Sequence, residues 1–399
     1  MSSDRLMSWD GQRPARGVRA ALVRPRWGQI DWSVLLVASG ILVIGMAVLA
    51  AIAGSDAETQ PISFAAHLKK LSVAFPMLVA GILVRPRWLR RNAYVVYGLS
   101  VALLMLVPVI GDMRNGARRW IELPMGFDLQ PSELAKIALV IALARVFYRN
   151  RLKRASDWVG PALLALVPML LVVKQPDLGT ALSIAPITLG MAYLAGARGQ
   201  TIFGLVAAGA LALGCAWQFD WIKSYQRERI DTWVQAFDTD ALIADRKGAS
   251  FHTYLAHVSI GSGSWRGTGL GEGIANQTGW LPERESDSIF AVIAEEKGFV
   301  GATGLIFVYL LLIGLILRRA GRIRERFSRL VVGGVGLLFA SHVFLHCGVM
   351  TGLLPLTGLT LPLISTGGSA LLASFAALGL ALGFGTHHEP GLDSDSFTP

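Results

Sequence analysis

Four ionisable side chains stand at the edges of long apolar runs: Glu133, Lys136, Asp177 and Asp287. Charge at membrane depth is costly, so such groups pair with one another or line a polar cavity. Glu133 and Lys136 belong to Gln130-Pro131-Ser132-Glu133-Leu134-Ala135-Lys136 and, three residues apart, share a helix face. The pair reads either as a structural ion pair or as a held cation for an anionic substrate. Asp177 opens a second such motif, Gln175-Pro176-Asp177-Leu178-Gly179-Thr180. It is either an ordinary helix cap or the third member of a Glu133–Lys136–Asp177 network. Asp287 lies in Leu281-Pro282-Glu283-Arg284-Glu285-Ser286-Asp287-Ser288, just before a long apolar stretch. There it would cap a helix at the mouth of any cavity between the spans.

Three further stretches have the right residue types for a phosphorylated substrate. Ser365-Thr366-Gly367-Gly368-Ser369 precedes the last apolar run, where small residues expose backbone N–H groups suited to phosphate. A plain cap and tight turn explain it equally well. Arg227 and Arg229, in Tyr225-Gln226-Arg227-Glu228-Arg229, supply cations after the seventh apolar run or are part of a solvated charge run. The glycine-rich run 261–273 lacks a surrounding βαβ unit and is no dinucleotide fingerprint. It reads as a flexible loop able to close over a long substrate.

The elements that must position these groups follow from composition. Of 399 residues, 53% are hydrophobic and 16% charged, against about 25% charged in soluble domains. The mean hydropathy is +0.51. These values exclude a disordered chain and argue against a soluble enzyme. The net charge is 37 − 27 = +10, which in such a chain orients membrane loops and implies no nucleic acid. The two cysteines, Cys215 and Cys347, lie in apolar runs and make neither a disulfide framework nor a zinc site.

Apolar runs near 32–54, 71–84, 93–110, 134–148, 158–173, 178–195, 201–219, 300–317, 330–350 and 369–385 predict about ten transmembrane helices. The expected fold is an all-α polytopic membrane protein. A cytoplasmic segment, 1–29, precedes the ten-helix membrane domain, 30–385, and a cytoplasmic tail, 386–399, follows it. The polar, Arg-rich start lacks the marks of a signal peptide, so the first run reads as an uncleaved anchor. Arginine-rich segments before span 1 and after spans 2, 4 and 8 place both termini in the cytoplasm by the positive-inside rule. A large extracytoplasmic loop, 220–298, then separates spans 7 and 8, and spans 4, 6, 8 and 10 begin outside. A helix from Asp287 through Leu317 would measure about 46 Å, more than the roughly 30 Å hydrocarbon core. Residues 287–297 are therefore expected as a separate short helix at the outer surface, broken at Gly298.

Together the motifs resemble the SEDS family (shape, elongation, division, sporulation), which includes RodA and FtsW. The resemblance rests on Asn115-Gly116-Ala117-Arg118-Arg119-Trp120-Ile121, both Gln-Pro motifs, the 225–229 run, the glycine loop, the stretch around Asp287, and the run from Thr351 to Ala370. These occur in family order. Pro124 and the 225–229 run are similar to RodA, and Thr357-Gly358-Leu359-Thr360-Leu361-Pro362-Leu363 to FtsW. The resemblance implies a peptidoglycan glycosyltransferase that polymerises lipid II, a disaccharide-peptide on a polyprenyl diphosphate, beside a class B penicillin-binding protein. It implies that Asp287 is the catalytic aspartate. It makes Glu133, Lys136 and Asp177 a polar cluster, which Arg119, Glu283, Ser365, Gly367 and Gly368 join. A divalent cation (Mg or Mn) at the diphosphate stays open, since no ligand set fixes one. The pattern is broken by Glu285-Ser286 for the usual His-Thr, Ser288 for Phe, Thr366 for Tyr, His257 for Lys and His346 for Asn. A flippase of lipid-linked precursors and a non-catalytic scaffold are the competing readings.

Overall fold

A computed structural model describes residues 27–54, 64–114, 117–123, 127–219 and 249–384, with 227, 230, 231, 233, 234 and 386. Arg229, the N-terminal 26 residues and nearly all of the tail lie outside the described residues. The described chain is almost entirely helical. Helices α1 (Trp32–Gly54), α2 (Phe64–Leu83) and α3 (Pro86–Ile110) come first. After a small sheet follow α4 (Pro131–Arg149), α5 (Val159–Lys174), α6 (Leu178–Ala195) and α7 (Gly199–Gln218). Two shorter helices, α8 (Ala249–Ser262) and α9 (Ile274–Thr278), lead to α10 (Ile289–Arg322), α11 (Arg326–Met350) and α12 (Gly368–Gly383).

Eight helices among the described residues are long and apolar enough to cross a membrane. The two other expected spans are helices of a different kind. α12 has 16 residues, and α4 carries Glu133, Lys136, Arg145 and Arg149. Yet α4 is the centre of the bundle, with 14 of its 19 residues buried. α7 is its opposite: uniformly apolar, with no buried residue. Lipid is as apolar as leucine, so hydropathy marks the perimeter and not the core. Leu36, Leu99, Leu163 and Leu211 point outward from that perimeter. The chain is a multi-pass membrane protein.

Small residues let the inner helices touch. A Cβ at Gly379 would collide with the carbonyl of Leu78, and one at Gly81 would stand 2.8 Å from the Ala376 carbonyl. α2 and α12 therefore meet backbone to backbone, the usual device where no hydrophobic force drives helices together.

Between α3 and α4 lies a three-stranded antiparallel sheet: β1 (Asp112–Arg114), β2 (Ala117–Leu123) and β3 (Phe127–Leu129). Trp120 pairs with Asp112 and Ile121 with Leu129. The sheet delivers Gln130 to the start of α4, where its N–H donates to Ser369 Oγ at 2.7 Å.

The break expected at Gly298 is present, with φ 66° and ψ −169°. Residues 289–296 before it are all buried, so this piece is inserted into protein. One expectation is corrected: the glycine run is no free lid. Thr268 and Gly269 N–H groups donate to the carbonyls of Glu295 and Glu296, both at 3.1 Å. Phe299 N donates to Ser264 O at 2.8 Å. The Glu295 carboxylate accepts from Ile274 N at 2.9 Å and that of Glu296 from Asn276 Nδ2 at 2.8 Å. The glycines serve close approach: a Cβ at Gly267 would collide with the Glu296 carbonyl, and one at Gly298 with Gly267 N. Gly298→Ala is accordingly expected to lower stability by about 1–3 kcal/mol, because its backbone region is essentially glycine-only. A melting curve of the purified variant checks this, and an unchanged midpoint would remove the packing role.

Candidate active site

Asp287 closes a tight turn before α10. Ser286 and Ser288 N–H groups both donate to Glu283 O at 3.0 Å. The helix cap is Ser288, without a side-chain cap bond, so the expectation that Asp287 caps the helix is corrected. Among the described residues no hydrogen bond ends on the Asp287 carboxylate. It is half-buried. Gly358 passes it with φ 68°, and a Cβ there would stand 3.1 Å from Asp287 Oδ2; the glycine leaves that side open.

The turn is clamped by the segment leading into α12. Ser365 Oγ donates to Ser286 O at 2.7 Å and accepts from Leu361 N at 2.8 Å. Thr366 N donates to Glu285 O at 3.0 Å. Thr366 O in turn accepts from Lys70 Nζ at 3.0 Å. Gly367 caps α12, and a Cβ at Gly368 would meet the Phe127 ring at 3.2 Å and Lys70 Cδ at 3.6 Å. The Ser365 hydroxyl and Thr366 N–H are thus committed to shaping the turn, which narrows the phosphate role expected of this stretch to the N–H groups of the first helical residues.

Electrostatics single out Asp287. Burial, then the carboxylates of Glu283, Asp177 and Glu285, push its carboxyl up to about 7, against the opposing charge of Arg119. Burial likewise raises Glu285. Like charges around one half-buried acid favour its protonated form, and a carboxyl poised near neutrality suits proton transfer.

Arg119, placed by β2, donates from Nε to Gln175 O at 2.8 Å and from Nη2 to Pro176 O at 2.5 Å. It ties the sheet to the start of α6. Asp177 there accepts from Thr180 N at 3.1 Å, as a cap, and from Gln130 Nε2 at 3.0 Å. This corrects the expected network. Asp177 does not join Lys136; Lys136 Nζ donates to Glu133 Oε1 at 2.7 Å and stands 2.7 Å from His342 Nε2. Lys136 is 1% exposed and Glu133 4%. The pair is sealed inside the bundle between α4 and α11, so Lys136 is not positioned as a cation for the leaving group. The Arg227 guanidinium lies 4.9 Å over the Trp217 ring.

The structure also recruits residues absent from the sequence-level set. His252 Nε2 lies 3.0 Å from Ser288 Oγ, beside Asp287, and burial holds its imidazole below the ordinary range. Lys70 and His342 are the others. His342 has a sequence signal, a polar residue within an apolar run, whereas Lys70 lies just before one. Among the described residues no group of three or more His, Cys, Asp or Glu side chains is placed to hold a metal.

A model of the FtsW/RodA/SpoVE family, described as cell cycle proteins, matches residues 29–389. The Escherichia coli protein named peptidoglycan glycosyltransferase MrdB is 34% identical over 361 residues, 90% of this chain and 94% of that protein. A Halorhodospira halophila protein named probable peptidoglycan glycosyltransferase FtsW is 33% identical over 384 residues, 92% of each. A chain from a solved structure on the coordination of polymerization and crosslinking by a peptidoglycan synthase complex superposes with a TM-score of 0.75. It is 31% identical, over 90% of this chain and 98% of that one.

Proposed function

The chain belongs to the FtsW/RodA/SpoVE family, and on that basis we propose that it is a peptidoglycan glycosyltransferase that polymerises lipid II, with Asp287 as general base. The observation that carries the assignment of the base is its setting. Asp287 is half-buried, free of capping bonds and held near neutral pKa by burial and then by three neighbouring carboxylates. By the positive-inside rule this end of the bundle faces outward, away from the arginine-rich end, and both termini are cytoplasmic.

In the proposed step Asp287 takes the proton of the acceptor 4-hydroxyl. That oxygen bonds to the anomeric carbon of the donor sugar as the bond to the diphosphate breaks, and polyprenyl diphosphate leaves with the electron pair. A single displacement inverts an α-linked donor to a β-linked product. Arg119 and Lys70 are the nearby cations for the leaving diphosphate, with N–H groups at the start of α12. A divalent cation (Mg or Mn) at the diphosphate is a further proposal. The likeness to a chain of a peptidoglycan synthase complex supports a class B penicillin-binding protein as partner. Elongation and division both fit, since relatives named MrdB and FtsW match almost equally well.

The general base must be ionised. Its pKa of about 7 therefore predicts that turnover rises with pH, roughly tenfold per unit below 7, and levels off above it. A rate profile at saturating lipid II checks this; a flat profile from pH 5 to 8 would exclude Asp287 as the base. Proteoliposomes loaded with fluorescent lipid II separate the competing readings. Polymerase activity yields glycan polymer, whereas lipid movement without polymer would identify a flippase, and neither without a partner but polymer with it would indicate partner-dependent activity or a scaffold.

A further inference from the structure

At the end of the bundle away from Asp287, eight arginines line a cavity of about 1000 Å³. α4 runs 19 residues from the Asp177 region to this cavity, about 28 Å at 1.5 Å per residue. Three segments build the wall. The first turns of α3 give three arginines, Arg90 among them. The end of α4 gives Arg145, Arg149 and, just beyond it, Arg151. The turn into α11 gives Arg324 and Arg326.

Arg326 and Arg90 are held by the fold. Arg326 donates to the carbonyls of Phe147 at 3.0 Å, Asn150 at 3.2 Å and Ala195 at 3.1 Å. It closes the negative ends of α4 and α6. Arg90 pairs with Glu325 at 3.1 Å and stacks 4.7 Å over Tyr148. Glu325 is the only acid on the wall among the described residues, and it also caps α11 through Ser328 N at 2.6 Å. It cannot neutralise the rest. Arg145 and Arg149, four residues apart on one helix, repel each other, which costs stability unless an anion bridges them.

The positive-inside rule explains why arginines lie at this end. It does not explain why separate segments turn them onto one cavity, where low-dielectric walls focus the field. The wall holds arginine and no lysine. Guanidinium forks match phosphate oxygens in pairs, as ammonium groups do not. The volume would hold roughly thirty waters, ample for more than one phosphate.

We propose that this cavity binds a ligand carrying two or more phosphate groups, gripped by Arg145, Arg149 and Arg151. A membrane lipid headgroup and a soluble polyphosphate share that chemistry. The test uses the full chain in phosphatidylcholine nanodiscs with and without cardiolipin, and inorganic tripolyphosphate as the soluble probe. Arg145→Gln/Arg149→Gln/Arg151→Gln is compared with Arg318→Gln/Arg322→Gln/Arg329→Gln, which removes the same charge from exposed arginines off the cavity. The cavity triple is expected to lose roughly 100-fold in affinity for the probe that binds, at about fivefold per arginine, while the control triple stays near wild type. Retention of cardiolipin alone identifies a lipid site, and tripolyphosphate binding alone a soluble ligand. Equal losses in both triples, or binding of neither probe, would overturn the proposal. Arg149→Gln/Arg151→Gln, both exposed, gives the same comparison should the triple fail to fold.

Discussion

Glu133→Ala is expected to destabilise the protein by about 3–5 kcal/mol, the usual consequence of removing one partner of a buried ion pair. Lys136 is 1% exposed and has two close neighbours, Glu133 and His342. Without the carboxylate its ammonium would sit in the bundle against an imidazole alone. The effect is on stability, because the pair is sealed between α4 and α11 and does not reach Asp287. A paired replacement, Glu133→Leu with Lys136→Met, should recover most of the loss, since exchanging a buried ion pair for hydrophobic residues of similar volume is often neutral. Chemical or thermal unfolding in detergent measures both. A Glu133→Ala midpoint equal to wild type would show that Lys136 finds solvent or another counter-ion.

The second large effect is on rate. Asp287→Asn keeps the side-chain shape and removes the proton acceptor. It is expected to slow glycan polymerisation by about 10²–10⁴-fold, the usual contribution of a positioned base. The fold should not suffer, and the sign can be worked out. The folded-state pKa of Asp287 is raised from 3.8 to about 7, so the native state binds the proton more tightly than the unfolded chain does. Stability from this group is full at acid pH and is lost as pH rises through about 7. At pH 8 the wild type therefore holds an ionised carboxylate among Glu283, Asp177 and Glu285, and the amide relieves that repulsion. The variant should melt at or above the wild-type temperature at pH 8. A lower melting point together with lost activity would point to a structural role instead.

The candidate site was legible in the sequence for a simple reason: in an apolar chain, each ionisable residue at a helix start stands out. Glu133, Asp177 and Asp287 were found that way, and the structure brings Asp177, Glu283 and Arg119 into the field of Asp287. Pairings were less legible. His342 lies 206 residues from Lys136, and nothing local to either marks the contact, so Asp177 stood as the possible third member beside Glu133 and Lys136. The start of α2 was missed because Lys69 and Lys70 interrupt its hydropathy, yet Lys70 reaches the Thr366 carbonyl beside the site. The 112–129 sheet has strands of three to seven residues, too short to announce themselves between apolar helices. Glycine spacing in 261–273 signalled a special backbone but not its reason. A glycine needed for close approach, as at Gly267, reads the same as one needed for motion.

The most direct measurement is the initial rate of glycan-strand formation from lipid II by purified wild type and Asp287→Asn, followed by gel and by release of polyprenyl diphosphate. Wild type is expected to form polymer at a rate that climbs with pH through about 7. The variant is expected to be slower by about 10²–10⁴-fold at an unchanged or higher melting temperature. Polymer formation by Asp287→Asn at the wild-type rate would contradict the assignment of Asp287 as general base.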